Sequence, residues 1–441
     1  MIIQSSYRVL MDASALMVLV SAFEVALSAK SGLSNKAKLS IGVLLDVRSV
    51  HLRQLLEAKM GETKEESSLV FQPHISTVDI TDSFAVSNAM CDLITKDVVA
   101  IIGVTNASSL STIQSYSNTF NMPFVSIGST QNFTTTPGFQ LFVRPSFMGA
   151  VVDLLHYYGC KKAVYIYDSD EGLMRIQDLF QSLNTRDLLI DLDVRRINSL
   201  PVSKDVMGIP VGVDHMSKGD TTQKIFYIMD FEQLDVLGVI RYLRKEHIMS
   251  GIDLNIIAVA LDLVPVSSSN TDLSCTNISG FQLVSDGSGR HVIGPHDSVV
   301  IDPMKSTEAL LVDAVDVVRT AVEEVERVNP GWLMERSKQL DSQVKCTNFV
   351  VDKTTHGQTL MEHLRQVQFD GQTGRVTFDE NGKRNNFALE IFESTSGEAN
   401  KRIGKWHPER GLRMTSSWNI EKTVILLINN TRPVHFVQKS E

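Results

Sequence analysis

The sequence has few cysteines, no long apolar run and no cluster of basic residues. Its 441 residues include four cysteines, none in a Cys-x-x-Cys pair, which argues against a zinc or thioredoxin-like site and allows one or two disulfide bridges. No stretch of about 18 apolar residues occurs, so we expect no membrane-spanning helix. The 42 lysines and arginines are scattered among 51 acids. Phosphate binding needs clustered positive charge, so we expect no nucleic-acid partner.

The chain also lacks the motifs of common enzymes. There is no Gly-x-Ser-x-Gly, no phosphate-binding Gly-x-x-x-x-Gly-Lys-Ser/Thr and no Gly-x-Gly-x-x-Gly. The segment Asp379-Glu-Asn-Gly382 lacks the alternating acids of a calcium-binding loop, and a tight turn explains it better. We therefore expect no catalytic residue, no metal and no cofactor.

Apolar runs alternate with amphipathic segments along most of the chain. Runs typical of strands buried on both faces occupy residues 39–45, 98–103, 123–128, 162–167, 224–229 and 255–261. Helical patterns occupy 82–96, 108–121, 146–159, 171–183, 231–247, 305–328 and 356–368. Because the alternation restarts after the third strand, it predicts an α/β protein of two lobes, each a doubly wound parallel sheet. We expect loops over 185–222 and a late hairpin whose strands flank the turn at 379–382.

The stretch YDSDEG (167–172) places three acids between a strand and a helix. Asp168, Ser169 or Asp170 can cap the helix, and Glu171 suits the positive end of the helix dipole. A second interpretation is a ligand site, because ligands of open α/β sheets bind beyond the carboxyl ends of the strands.

Hydroxyl side chains follow two other predicted strands. Ser108 and Ser109 come after 98–103, and Ser129 and Thr130 come after 123–128. Together with the N–H groups at the start of the next helix, these residues and Asp168 could hold a carboxylate in a cleft between the lobes.

The N-terminus and four glycosylation triplets favour the secretory route. Residues 1–29 combine one arginine, a short apolar core and small residues near the end, which is the outline of a signal peptide. The triplets Asn-x-Ser/Thr begin at Asn106, Asn132, Asn277 and Asn429.

Several stretches, in order, resemble the amino-terminal domain of AMPA- and kainate-type ionotropic glutamate receptors. They are DSFAVSNAMCDLITKDVVAIIGV (82–104), FQLFVRPS (139–146), YDSDEGLMRIQDLF (167–180), KSTEALLVDAV (305–315), FDGQTGRVTFDENGKRNNFALEIFE (369–393) and KRIGKWHPERGLRM (401–414). The resemblance implies a bilobed periplasmic-binding-protein-like fold of type I with a hinge. It implies lobe one at 38–144 plus 281–348 and lobe two at 145–280 plus 349–418.

The same resemblance implies a disulfide bridge between Cys91 and Cys346. Cys160 and Cys275 have no counterpart in it, so a second bridge within lobe two and two separate thiols both stay open. Residues 419–441 resemble the first strand of the agonist-binding domain, so we expect the pore and most of that domain to lie outside this chain. Membrane attachment would then come only through that missing portion.

The resemblance also implies a function. In these receptors the amino-terminal domain lies on the extracellular side of the postsynaptic plasma membrane and mediates subunit dimerisation. The helical patterns at 82–96 and 108–121 are apolar on more than one face, so one face of each has to pack on something other than its own sheet. The resemblance implies a dimer contact on these two helices, so we predict a homo- or heterodimer contact at Phe84, Ile113, Tyr116 and Phe120; the alternative is that these residues belong to the core. An amino-acid ligand in the cleft is the other function that we weigh, and AMPA and kainate types are not distinguished.

Overall fold

The computed structural model describes residues 37–62, 69–128, 138–198, 225–232, 234–245, 254–262, 276–284, 289–293, 299–339, 355–395, 398 and 400–415. The helices are α1 (Leu52–Gly61), α2 (Ser83–Thr95), α3 (Leu110–Phe120), α4 (Met148–Tyr157), α5 (Asp170–Thr185), α6 (Val236–Lys245), α7 (Ser306–Val328), α8 (Trp332–Gln339) and α9 (Thr355–Gln366). The strands are β1 (Ala37–Asp46), β2 (Leu69–Val78), β3 (Ile101–Gly103), β4 (Phe124–Ser126), β5 (Gln140–Phe142), β6 (Lys162–Tyr167), β7 (Asp191–Arg196), β8 (Ile225–Asp230), β9 (Leu254–Ala258), β10 (Thr276–Gln282), β11 (Gly289–Ile293), β12 (Val299–Pro303), β13 (Phe369–Gly371), β14 (Gly374–Val376), β15 (Leu389–Ser394), β16 (Lys401–His407) and β17 (Gly411–Met414). The predicted signal peptide and the stretch 419–441 lie outside the described residues.

The first sheet contains five parallel strands in the order β2-β1-β3-β4-β5. Strand β1 is apolar on both faces, as the continuous run at 39–45 predicts, whereas the edge strand β2 is only half-buried. Ile41, Val43 and Leu45 point into the core on one face, and Leu44 points to the other, where α2 and α3 cover it. The sheet is therefore buried on both sides.

The second sheet has eight strands in the order β17-β16-β15-β10-β9-β8-β6-β7. The five strands β6 to β10 are parallel. Strand β15 pairs antiparallel with β10, β16 with β15, and β17 with β16. Two sheets of this kind confirm the expected α/β class and bilobed architecture. The second sheet is mixed rather than purely parallel, because chain that returns late supplies one of its edges.

The long helix α7 confirms the pattern at 305–328 and ends at Val328, with Asn329 as its C-cap just before Pro330. Its start is held by Asp262, whose carboxylate accepts bonds from the N–H (2.7 Å) and the hydroxyl (2.9 Å) of Ser306. The helix packs against α1 and α9. It is buried along most of its length, even at Asp313.

The late hairpin forms only around its turn. The Gly382 N–H donates to the Asp379 carbonyl at 3.0 Å, the Asp379 N–H to the Lys383 carbonyl at 2.8 Å and the Asn385 N–H to the Thr377 carbonyl at 3.2 Å. The predicted strands do not continue this pairing, because β14 pairs with β13 and β15 pairs with β10 and β16. The turn between β13 and β14 is fixed by the Asp313 carboxylate, which accepts the N–H of Gln372 at 2.6 Å. The local turn signal is thus confirmed, whereas the strand pairing is set by contacts distant in sequence.

The expectation of loops over 185–222 was wrong at its start, where β7 forms. Among the described residues, this strand pairs with β6 alone, at the edge of the second sheet, and most of its side chains are half-buried. An edge strand of this kind has a weak apolar signal, because only part of its surface is covered. Residues 199–222 lie outside the described ranges.

Candidate functional site

Helix α2 begins at a side-chain cap and leaves its first aromatic residue in solvent. The Asp82 carboxylate accepts bonds from the N–H groups of Phe84 (2.9 Å) and Ala85 (3.2 Å), as expected of an N-cap aspartate. Further along the helix, Val86 and Met90 pack on the first sheet. Phe84 is 75% exposed, so the monomer leaves this ring without cover.

Helix α3 lies beside α2 and contributes two aromatic side chains to the same surface. Tyr116 and Phe120 are half-buried and stack with their ring centroids 6.0 Å apart. The Tyr116 hydroxyl is hydrogen-bonded to the Ser87 hydroxyl at 2.5 Å. Because Ser87 is three residues after Phe84, both lie on one side of α2. We call the surface formed by Phe84, Ser87, Tyr116 and Phe120 the α2–α3 face.

The structure corrects one predicted contact residue. Ile113 is 0% exposed and belongs to the cluster in which Val86, Met90 and Phe124 pack together. Its side chain fills the space between α3 and the first sheet, and it offers no surface to a second molecule. The other three residues are accessible, and their role in a dimer stays a prediction.

Of the hydroxyls predicted to line a cleft, the structure describes those of Ser108 and Ser109. Ser109 is fully buried, and its hydroxyl accepts the Asn106 N–H at 3.1 Å. The Asn106 side-chain oxygen in turn accepts the Ser109 N–H at 2.8 Å. Ser108 is exposed. Ser129 and Thr130 lie outside the described residues.

Asp168 has a structural function at the carboxyl edge of the second sheet. Its carboxylate accepts the N–H of Glu232 at 2.9 Å and that of Leu234 at 2.8 Å, which ties the loop after β8 to the end of β6. The neighbouring Ser169 is the cap of α5 and accepts the Gly172 N–H at 3.2 Å. Both Asp168 oxygens are thus used within the protein, and the ligand interpretation of this residue loses its support.

Two buried charges were not predicted from the sequence. Asp230, at the end of β8, is fully buried and accepts a bidentate pair of bonds from Arg175 of α5 at 2.7 and 2.6 Å. The Tyr165 hydroxyl also donates to this carboxylate. Burial, together with the negative charge of Asp230, raises the pKa of Tyr165 well above its ordinary value. The position of Asp230 at a strand end was the only sequence signal for this cluster.

A second carboxylate, that of Glu232, lies at the rim of this cluster. Burial raises the pKa of Glu232, while the positive charge of Arg175, at 3.2 Å, acts against this increase. Arg144, in the connection after β5, has its pKa lowered by burial and by the neighbouring Arg175. The edge of the second sheet thus holds several close charges, in which Arg175 pairs with Asp230 and Glu232 and is repelled by Arg144.

The structure shows the bonding state of two of the four cysteines, Cys91 and Cys160. Cys91 is disulfide-bonded, and its partner lies outside the described residues, as do Cys346 and Cys275. Pairing of Cys91 with Cys346 therefore stays a prediction. Cys160 is a free, buried thiol. A second bridge that includes Cys160 is thus excluded, and the alternative of an unpaired thiol holds for this residue.

Cys160 is expected to resist alkylation in the folded protein. Burial raises the pKa of its thiol to about 12, so the reactive thiolate is scarce near neutral pH. We expect iodoacetamide to modify it roughly a hundredfold more slowly in buffer than in concentrated urea, as measured by mass spectrometry of the Cys160 peptide. Equal rates in the two solvents would contradict the burial of this side chain.

The glycosylation triplets differ in their surroundings. Asn106 is half-buried and its side-chain oxygen is engaged with Ser109. Asn277 lies in β10, between β9 and β15, with its amide 3.5 Å from Asn255. Both remain predicted acceptors, and Asn277 is the less accessible because it lies within a sheet. Asn132 and Asn429 lie outside the described residues.

The described ranges contain neither a cluster of metal ligands nor a membrane-spanning helix. Within those ranges no group of three His, Cys, Asp or Glu side chains is arranged to hold a metal ion. None of the helices described is both long enough and apolar enough to cross a bilayer.

Comparison with known proteins places the chain in a receptor family. Residues 67–397 match the family described as receptor family ligand binding region. A glutamate receptor of Lymnaea stagnalis is 30% identical over 84% of this chain and 42% of its own length. Glutamate receptor 3 of Rattus norvegicus is 26% identical over 80% of this chain and 39% of its own length, and that of Mus musculus matches equally.

The chain thus spans about two fifths of the length of these relatives. The family consists of receptors, which confirms the expectation that the chain is not an enzyme. The chain therefore belongs to the family of receptor ligand-binding regions, and its resemblance to the amino-terminal domains of ionotropic glutamate receptors is confirmed.

Proposed function

We propose that the chain is the extracellular amino-terminal domain of an AMPA- or kainate-type glutamate receptor subunit, and that it mediates subunit dimerisation during channel assembly. The observation that carries this proposal is the α2–α3 face. An aromatic ring that is 75% exposed at Phe84, beside the stacked pair of Tyr116 and Phe120, is typical of a surface that another protein covers.

The proposal includes the division into lobes. Strands β1 to β5 lie in the first sheet and β6 to β10 in the second, which supports lobe one at 38–144 and lobe two at 145–280. Helix α9 packs on α7, which packs on α1, so we assign α9 to lobe one and β15 to β17 to lobe two. The segment 349–418 would then be divided between the lobes.

A second candidate function is the binding of an amino acid between the lobes. The description of the family as a ligand-binding region favours it. The internal bonds of Ser109 and Asp168 weigh against it, because a ligand would have to displace them. Isothermal titration with glutamate separates the two functions, since the assembly function requires no heat of binding to the isolated chain.

Assembly is tested by co-immunoprecipitation of the tagged chain with a full-length glutamate receptor subunit expressed in the same cells. We expect recovery of the subunit in mild detergent, and loss of it with Phe84→Asp. Met334→Asp is the matched control, because Met334 is also exposed, at 64%, but lies on α8. Absence of recovery with the wild-type chain would refute the assembly function.

A further inference from the structure

One hydrogen bond joins the loop before α3 to the first turn of α5. The Ala107 N–H donates to the Glu171 carboxylate at 3.0 Å, between residues 64 positions apart in the chain. Ala107 follows β3 of the first sheet, whereas Glu171 follows β6 of the second. The bond therefore connects the carboxyl edges of the two sheets, where ligands of open α/β sheets bind.

We propose that Glu171 is an internal carboxylate ligand that latches the two sheets together. A carboxylate can be buried only if it is hydrogen-bonded, and Glu171 is 9% exposed. Its position in the first turn of α5 adds the favourable end of the helix dipole. The negative charge of Glu171 also raises the pKa of Glu232, which places the two carboxylates close to each other.

The latch occupies the position that a free carboxylate would need. The N–H groups of a loop that leads into a helix are the usual donors to an anion, and here Glu171 accepts the Ala107 N–H. The hydroxyl of Ser109, in the same loop, is held by Asn106. An external amino acid would compete with a carboxylate that is tethered to the site and hence present at a high effective concentration. Glu171 thus closes the cleft without a ligand.

Removal of the carboxylate is expected to release the loop before α3. In Glu171→Ala, we expect hydrogen exchange in peptides that span residues 104–112 to become roughly tenfold faster or more, because a charge-assisted bond is lost. In Glu171→Gln, which retains the shape and one oxygen acceptor, we expect a smaller acceleration. Acetate at tens of millimolar should slow the exchange again in Glu171→Ala and leave the wild type unchanged.

The matched control is Asp170→Asn. Asp170 is the adjacent acid of the same helical turn, but its partner Arg196 lies in β7 of the same sheet, 3.0 Å away. We expect wild-type exchange over 104–112 in this variant. Wild-type exchange in both Glu171 variants, or equal acceleration in Asp170→Asn, would overturn the latch.

The latch does not depend on the dimerisation proposed above. The Glu171 variants should dimerise as the wild type does, because Glu171 is outside the α2–α3 face. A failure of dimerisation in the wild-type protein would leave the exchange result of the latch experiment unchanged, so the two proposals fail separately.

Discussion

Replacement of Asp230 by alanine is expected to lower the free energy of unfolding by about 3–5 kcal/mol. The side chain of Asp230 is fully buried, and its loss removes the bidentate counter-charge of the Arg175 guanidinium, itself 12% exposed, while the partly exposed Glu232 stays 3.2 Å away. The Tyr165 hydroxyl would lose its bond to this carboxylate in the same step and keep the longer one to the Gly172 carbonyl at 3.3 Å. A buried cation without its counter-charge is far less stable than the same cation in water, which is the physical reason for so large an effect. Denaturation by urea, followed by circular dichroism, measures it.

The control for Asp230 is an ion pair of similar chemistry in solvent. Asp170 and Arg196 are 3.0 Å apart, with side chains 54% and 44% exposed. We expect Asp170→Ala to change the free energy of unfolding by about 1 kcal/mol or less, because water screens this pair. An equally small effect of Asp230→Ala would contradict the burial of Asp230 and its bonds to Arg175.

Replacement of Phe84 by aspartate is expected to weaken dimerisation by about 2 kcal/mol or more, a roughly thirtyfold rise in Kd. An aromatic ring at the centre of an interface excludes water from its surroundings, whereas an aspartate there would lose its hydration without gaining a partner. The fold should be unaffected, because the ring is 75% exposed in the monomer. Analytical ultracentrifugation of the variant over a concentration series measures the change.

Two results bear on this interpretation of Phe84. Met334→Asp, on α8, should dimerise as the wild type does, since it removes a similarly exposed apolar side chain far along the chain from the α2–α3 face. An unchanged Kd for Phe84→Asp would mean that the exposed ring has another function, and the dimer contact would have to be sought on a different surface.

The sequence predicted the interior of the fold well. Strands such as β1, β6 and β8 are continuous apolar runs because both of their faces are buried, and the α7 pattern persists because the helix is covered along most of its length. These signals are local and strong. Strand β7 could not be predicted, because an edge strand is only half covered and its apolar pattern is weak. The pairing of β14 could not be predicted either, because contacts distant in sequence determine which strand it pairs with.

The site was less predictable than the fold. Periodicity placed Ile113 and Phe84 alike on apolar helices, but only the packing shows that Ile113 is core and Phe84 is not. Asp168 and Glu171 were recognised as acids at a helix start, yet their acceptor bonds to Glu232, Leu234 and Ala107 depend on loops about 60 residues away. Such bonds have no local sequence pattern. An acid that caps its own helix therefore looks the same in the sequence as an acid that binds a distant loop.

We propose that this chain assembles through protein contacts and not through a ligand. Sedimentation equilibrium of the purified chain at micromolar concentration, with and without glutamate, tests this proposal most directly. We expect a dimer whose Kd is unchanged by glutamate. A monomer in both conditions, or a dimer that forms only with glutamate, would contradict this proposal. The cleft between the lobes would then be the better candidate for the functional site.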